Sequence, residues 1–474
     1  MRPSSSRMLF HSVQFFILFS VAFIGYWLIP QHRLRMLWLL LVSFAFYGSW
    51  NPWLLFVVLF SAAFDFLIAQ RIEAAPSPRT RRSLLIVSIC VSLGILTFFK
   101  YTNFLLDSAI STINLFGFDY RHPAFRIVLP LGISFYTFET ISYVVDVYHR
   151  RIRAERNFSD YALFIMFFPH LISGPIVRPR QFLVQVRRAK RFDWLRLEAG
   201  ARLFLLGLVK KTVIADHMAG IADPVFAAPS IFASDAVWVA LLCYTAQIYC
   251  DFSGYTDMAI GAAHAFGFKL PVNFNMPYAS ASISEFWHRW HISLSTWLRD
   301  YLYFPLGGNR YGTLKTYRNL VVTMGLSGLW HGAGWPFILC GLYHGVLLVL
   351  HRVLPTPAWF AHDRFKPLKI LMTFLCVSLG FVFFRAQSMG DVLIIFHRLF
   401  IVTEGQSLAR PDIILAVAAW SAILIAHLAA SFVDLTRALH RLPAPVMATG
   451  IAVVLLLVQL LMPSGGASFI YFQF

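Results

Sequence analysis

The stretch Leu326-Ser327-Gly328-Leu329-Trp330-His331-Gly332-Ala333-Gly334-Trp335-Pro336 sets a histidine between two apolar runs, residues 320–330 and 336–350. An ionisable side chain at membrane depth is costly to keep, so by default it marks function. Apolar windows approaching the roughly 20 residues that cross a bilayer recur on both sides of it. They cover residues 13–29, 34–50, 53–70, 84–99, 127–145, 161–177, 203–213, 237–250, 368–384, 413–433 and 445–462. The shorter windows read as broken or re-entrant, and the set predicts roughly ten to thirteen membrane helices. Hydrophobic residues make up 58% of the 474 and charged residues only 13%, against about 25% in a soluble chain. The expected fold is an all-α polytopic integral membrane protein with additional re-entrant and interfacial helices.

Arg2 and Arg7 precede the first apolar run as in a signal peptide. The run continues to Ile29 without a small-residue cleavage pattern, which predicts an uncleaved first helix. The net charge is +18, from 40 Lys and Arg against 22 Asp and Glu. In a soluble protein that excess would raise nucleic-acid binding. Here the basic residues gather in short connections, residues 71–82, 149–156, 178–196, 210–211, 299–318 and 437–441, where positive charge marks the cytoplasmic side. The lipid bilayer is the expected partner, and nucleic acid is not. Residues 178–196 mix Arg and Lys with Phe182, Leu183, Phe192 and Trp194. That composition suits an interfacial segment against anionic headgroups, or a groove for an anionic cytoplasmic donor. Cys90, Cys243, Cys250, Cys340 and Cys376 stand singly in apolar windows without CxxC or zinc spacing, and read as small buried hydrophobes. No repeat or composition shift divides the chain. A single domain over residues 1–474 is expected, with membrane helices in 1–128 and the motif-bearing core in 129–474.

The few ionisable residues at depth are the candidates for chemistry. Glu139 and Asp146 lie in a segment broken at its start by Pro130 and Gly132, and such breaks are tolerated where backbone lines a cavity. Phe168-Pro169-His170-Leu171-Ile172-Ser173-Gly174-Pro175 and Asp251-Phe252-Ser253-Gly254-Tyr255-Thr256-Asp257 have the same character. Glu139, Asp251 and Asp257 therefore read either as groups along a substrate path or as polar kinks satisfied by neighbouring helices. In Glu285-Phe286-Trp287-His288-Arg289-Trp290-His291, residues three apart step about 60° around a helix, so Glu285, His288 and His291 form a drifting stripe. The pattern suggests metal ligands, but no further ligand is evident. A Trp-rich interfacial or re-entrant helix aiming His291 at a central cavity, with no metal, is the expectation; Arg299 and Asp300 continue the same segment. Around His331, three glycines and Pro336 read as opening the helix to a long thin substrate. A neutral imidazole, of pKa about 6.5, can remove a hydroxyl proton as the oxygen attacks a thioester or ester carbonyl. No Gly-x-Ser-x-Gly elbow, Walker loop or HExxH pattern competes with that reading.

The run Pro271-Val272-Asn273-Phe274-Asn275-Met276-Pro277-Tyr278, then Phe286-Trp287-His288-Arg289-Trp290-His291-Ile292-Ser293-Leu294-Ser295-Thr296-Trp297-Leu298-Arg299-Asp300-Tyr301-Leu302-Tyr303-Phe304-Pro305-Leu306-Gly307-Gly308-Asn309-Arg310, closely resembles the alginate O-acetyltransferase branch of the membrane-bound O-acyltransferases. Residues 129–148, 168–178, 251–257, 327–335 and the terminal Phe469-Ile470-Tyr471-Phe472-Gln473-Phe474 extend the likeness. It thus runs from about residue 129 to the end, with only generic hydrophobicity before it. The resemblance implies helices around a funnel-shaped core, His331 as the catalytic residue at its narrow centre, and His291 as a second functional histidine on the same path. Trp330, Asp251, Asp257, Glu139, Arg299 and Asp300 are the further candidates along that path. One departure is visible: the branch usually carries Arg where this chain has His288, which leaves His291 in register.

The function these readings imply is transfer of an acyl group, foremost acetyl, across a bacterial cytoplasmic (inner) membrane for O-acetylation of an extracytoplasmic polysaccharide. Acetyl-CoA or another acyl thioester would be the donor substrate, with no bound cofactor. Short loops leave no place to grip a polymer, which points to an extracytoplasmic acetyltransferase of the serine–histidine–aspartate SGNH type, or a similar acceptor protein, as partner. The alternatives are D-alanyl transfer to teichoic acid and a polytopic transporter or flippase without acyl-transfer chemistry.

Overall fold

The computed structural model describes residues 8–121, 126–355, 357, 360, 362–432, 444–461 and 469, which contain helices and no β-strand. The basic cluster at 437–441 and the final residues 470–474 lie outside them. Two compact units emerge, Met1–Phe204 with Met258–Pro271, and Leu205–Asp257 with Val272–Phe474.

The first unit opens with α1 (Val13–Leu28), α2 (His32–Gly48), α3 (Pro52–Ala74) and α4 (Pro78–Leu96). Each start is written locally. The Ser12 hydroxyl accepts the Phe15 N–H, and Asn51-Pro52 and Ser77-Pro78 pair a capping side chain with a proline at the first helical position. A π-helical turn, Thr97–Tyr101, carries α4 straight into α5 (Thr102–Leu115). Then come α6 (Ile133–Tyr148), α7 (Phe158–Met166), the short α8 (Pro179–Arg187) and the start of α9 (Trp194–Val209). Polar groups tie these helices together, since inside a bilayer the hydrophobic effect does not. Asp65 of α3 accepts from Ser88 (2.6 Å) and Ser92 (3.1 Å) of α4. The α8 helix buries Phe182, Leu183 and Val186 and exposes Arg180 and Arg187, the division expected of an interfacial helix.

The second unit contains the end of α9, a π-helical turn (Lys210–Ala215), α10 (Asp216–Ala227), most of α11 (Ser234–Ala265), and two short helices, α12 (Ile283–Arg289) and α13 (Ile292–Leu298). It continues with α14 (Thr313–His331), α15 (Trp335–Val353), α16 (Lys366–Arg385), α17 (Met389–Phe400), α18 (Arg410–Phe432) and α19 (Ala444–Leu461).

Among the described residues six helical stretches are long and apolar enough to cross a bilayer: Pro52–Ala74, Pro78–Leu115, Ser234–Ala265, Trp335–Val353, Asp363–Arg385 and Arg410–Ala429. Shorter apolar helices, Val13–Leu28 among them, accompany these. The other apolar windows are spent differently. Residues 161–177 leave the helix after Met166, and 203–213 falls inside the continuous run from α9 through α10. Outward faces are apolar where water would not tolerate it. On α18, Ile414, Val417, Ile425 and Leu428 are each more than 60% exposed. Such a stripe on a soluble surface would be an aggregation site, and against acyl chains it is ordinary.

One expectation is corrected. Lys210 and Lys211 are not in a connection but in the π-helical turn between α9 and α10, and Lys211 is buried. The extra residue of a π turn redirects side chains, and both lysines meet carboxylates of α11.

Candidate active site

α14 ends at His331 because Gly332 turns extended (φ −155°, ψ 149°), and α15 begins three residues after that glycine with Trp335-Pro336. The two helices form a tight antiparallel hairpin. A Cβ at Gly328 would collide with the Phe337 carbonyl oxygen, and one at Gly341 with the Met324 carbonyl oxygen. Small residues thus bring the backbones together, as membrane helix pairs require. The three glycines around His331 divide: Gly332 and Gly334 are extended and open the helix there, whereas α14 runs unbroken through Gly328, and Phe337, not open space, lies beside Gly328 and Gly332.

The segment 285–303 is not one helix. It breaks at His291, which adopts φ 41° and ψ 55°, the left-handed region that costs a non-glycine residue strain. Asn273 pins the break. Its carbonyl accepts the Ile292 N–H (3.0 Å) and its side-chain Oδ1 accepts the Ser293 N–H (3.1 Å). The stripe of Glu285, His288 and His291 is therefore dispersed. Glu285 pairs with Arg289 at 2.8 Å and accepts the Ala281 N–H, the exposed His288 ring bonds the Ser284 carbonyl through Nδ1, and His291 turns inward and is fully buried.

The break carries His291 to the end of α14. Its ring centroid lies 6.1 Å from that of His331, 6.0 Å from that of Trp330 and 4.7 Å, edge-to-face, from that of Phe252 on α11. Trp330 packs against His331 at 5.0 Å and Phe384 of α16 closes on it at 5.3 Å. His331 lines a chamber of about 30 Å³ with Ile248, Phe286, Trp287, Trp290, Cys340, His344, Phe381 and Phe384 among its walls. A wider cavity of about 360 Å³ shares Trp287, Met324 and Ser327 with that chamber and is edged by His288, Arg299, His351 and Arg352.

A sequence profile described as "MBOAT, membrane-bound O-acyltransferase family" matches residues 150–389, which include both histidines and most of these walls. The chain is also 46% identical over 386 residues to the probable alginate O-acetylase AlgI of Azotobacter vinelandii, covering 81% of this chain and 76% of that one. The chain belongs to the membrane-bound O-acyltransferase family. Against the probable alginate O-acetylase AlgI of Pseudomonas aeruginosa the identity is 46% over 385 residues (81% of this chain, 73% of that one). Against the peptidoglycan O-acetyltransferase of Helicobacter pylori it is 38% over 418 residues (81% and 78%).

The remaining candidates of this membrane-bound O-acyltransferase fall into three groups. Asp251 and Asp257 are held by lysines: Lys211 Nζ lies 2.8 Å from Asp251 and 2.8 Å from Asp216, and Lys210 Nζ lies 2.6 Å from Asp257. A Cβ at Gly254 would come within 2.6 Å of the Gly207 carbonyl oxygen, so that glycine is what lets α11 approach the lysine turn. Arg299 bonds its neighbour Asp300 (2.9 Å) and lines the wider cavity. Glu139 belongs to the first unit, where it accepts the Val177 N–H (3.0 Å) and sits 3.3 Å from His170 Nδ1. His344, Cys340 and Trp287 were not among the sequence candidates. His344 carried a usable signal, because it too is an ionisable residue inside an apolar window.

Proposed function

We propose that this O-acyltransferase moves an acetyl group from a cytoplasmic thioester, acetyl-CoA or a related donor, across the bacterial inner membrane for O-acetylation of an extracytoplasmic polysaccharide, with His331 as general base. One observation carries the reading. Half-buried His331 lines a chamber of about 30 Å³ that adjoins a wider cavity edged by cationic side chains. One water needs about 10–15 Å³ on this measure, so two or three non-hydrogen atoms fit, the size of an acetyl group. Arg299, Arg352, His288 and His351 suit the phosphates of a nucleotide-bearing thioester in the wider cavity. The relatives named as alginate and peptidoglycan acetylating enzymes support a polysaccharide as final acceptor. A D-alanyl group fits less well, since its ammonium would meet Phe286, Trp290, Cys340, Phe381 and Phe384 and no carboxylate among the chamber's walls.

In the reaction, the acceptor hydroxyl gives its proton to a His331 ring nitrogen as its oxygen attacks the acyl carbon. The thiolate then leaves and takes up that proton. General-base help of this kind contributes about 10²–10⁴-fold. His291 packs beside His331 with ring centroids 6.1 Å apart, where it can hold that ring in orientation for the proton transfer. An SGNH-type extracytoplasmic transferase, or a similar acceptor protein, receives the acetyl group and delivers it to the polymer. The test is acyl transfer from radiolabelled acetyl-CoA in proteoliposomes. Wild-type turnover that His331→Ala abolishes at an unchanged protein level is the expected result, and near-normal turnover in that variant refutes the assignment.

A further inference from the structure

The small chamber has a second imidazole. His344 of α15 is only 3% exposed, lines the same space as His331, and its buried Nδ1 makes no hydrogen bond among the described residues. The Trp287 ring meets the His344 ring edge-to-face at 5.1 Å, and its buried Nε1–H has no hydrogen-bond partner there either. Buried polar groups in folded proteins are nearly always paired, and an orphan calls for an explanation such as a ligand. Here two orphans from different helices converge on one chamber with the candidate base. Packing fixes the His344 ring, because a Cβ at Gly380 of α16 would lie 2.7 Å from its Nε2.

We propose that His344 and Trp287 are catalytic hydrogen-bond donors to the acyl carbonyl oxygen, forming the oxyanion-stabilising wall of the chamber. The inference rests on the reading of His331 as the base in this chamber. As the acceptor oxygen forms its bond to the acyl carbon, the carbonyl π electrons move onto oxygen, where the Trp287 Nε1–H and an N–H of His344 receive the charge. The oxyanion collapses, the carbonyl re-forms, and the carbon–sulfur bond breaks with its electron pair going to sulfur. The proton held on His331 follows to the thiolate. Donors held in place where charge develops stabilise the transition state more than the ground state, and their loss is read in kcat.

The experiment compares Trp287→Phe, His344→Phe, His344→Gln and His331→Ala with the wild type in proteoliposomes, using acetyl-CoA as donor and free thiol release as readout. Trp287→Phe keeps the aromatic body and removes only the N–H. It and His344→Phe should each lower kcat about 10²–10³-fold with KM for acetyl-CoA changed little, whereas His344→Gln, which keeps an N–H donor, should recover part of the loss. If the two rings serve packing alone, Trp287→Phe keeps its kcat and shows only a lowered unfolding temperature in detergent, which overturns the proposal. Should His344→Phe fail to fold, Trp287→Phe alone decides. Near-wild-type turnover by His331→Ala would instead overturn the reading beneath it. Loss in His331→Ala with full kcat in Trp287→Phe leaves that reading standing and removes this one.

Discussion

His291 holds a left-handed backbone while fully buried, at a point where glycine or asparagine would sit with less strain. Keeping a histidine there argues that its ring is needed, and strain and chemistry can be separated. His291→Asn should keep the turn and the unfolding temperature while transfer falls about 10²–10⁴-fold. His291→Val should instead lower stability by about 1–3 kcal/mol, since a β-branched residue resists positive φ. Thermal unfolding in detergent beside the transfer assay checks both, and an active His291→Asn would show that the imidazole is dispensable. The pair His291 and His331 was legible because depth made each histidine conspicuous. Their meeting at 6.1 Å was not, because the turn at His291 depends on hydrogen bonds from Asn273, eighteen residues earlier. His344 was open to the same depth argument but lacked a glycine-flanked motif to draw attention.

At the scale of helices, the α14–α15 hairpin is set by which glycines face backbone. Gly328→Ala drives a methyl into the Phe337 carbonyl, whereas Gly334, extended at φ −171°, has its nearest neighbour at an ordinary 3.5 Å. Gly328→Ala should therefore cost about 1–3 kcal/mol and most of the activity, with Gly334→Ala close to wild type; equal behaviour of the two would contradict this packing. The lysine turn offers a second contrast. Lys211, Asp216 and Asp251 are all buried, so Lys211→Met leaves two carboxylates without their cation and should cost about 3–5 kcal/mol. Adding Asp216→Asn and Asp251→Asn should restore most of that in detergent unfolding. If the stable triple variant is also inactive, Asp251 has a role in the path beyond pairing. The helices themselves were largely readable from apolar windows, caps and prolines. Breaks and π turns were not, since they answer to partners on other helices: Lys210-Lys211 reads as loop charge until Asp251 and Asp257 are seen facing it.

For the whole molecule, the class was legible from composition, and the outward apolar stripes agree with it, whereas the division into two compact units left no mark in the sequence. The decisive whole-molecule quantity is the room around His331. A chamber of about 30 Å³ admits an acetyl group, while a hexose ring is several times larger and a polymer larger still. If His331 is the base, the acceptor hydroxyl that reaches it must sit on a thin group, and the polysaccharide must be acetylated elsewhere by a second protein. The expected outcome follows for purified chain in proteoliposomes, with acetyl-CoA supplied on the side of residues 299–318 and polysaccharide on the other. Thioester should be consumed slowly, by hydrolysis or by transfer to a small hydroxyl acceptor, and polymer O-acetyl groups should accumulate only after an SGNH-type transferase is added. Polymer acetylated at full rate by the chain alone would mean that the glycan does reach the chemistry. The walls formed by Trp287, Trp290 and Phe384 would then have to open far beyond their present arrangement.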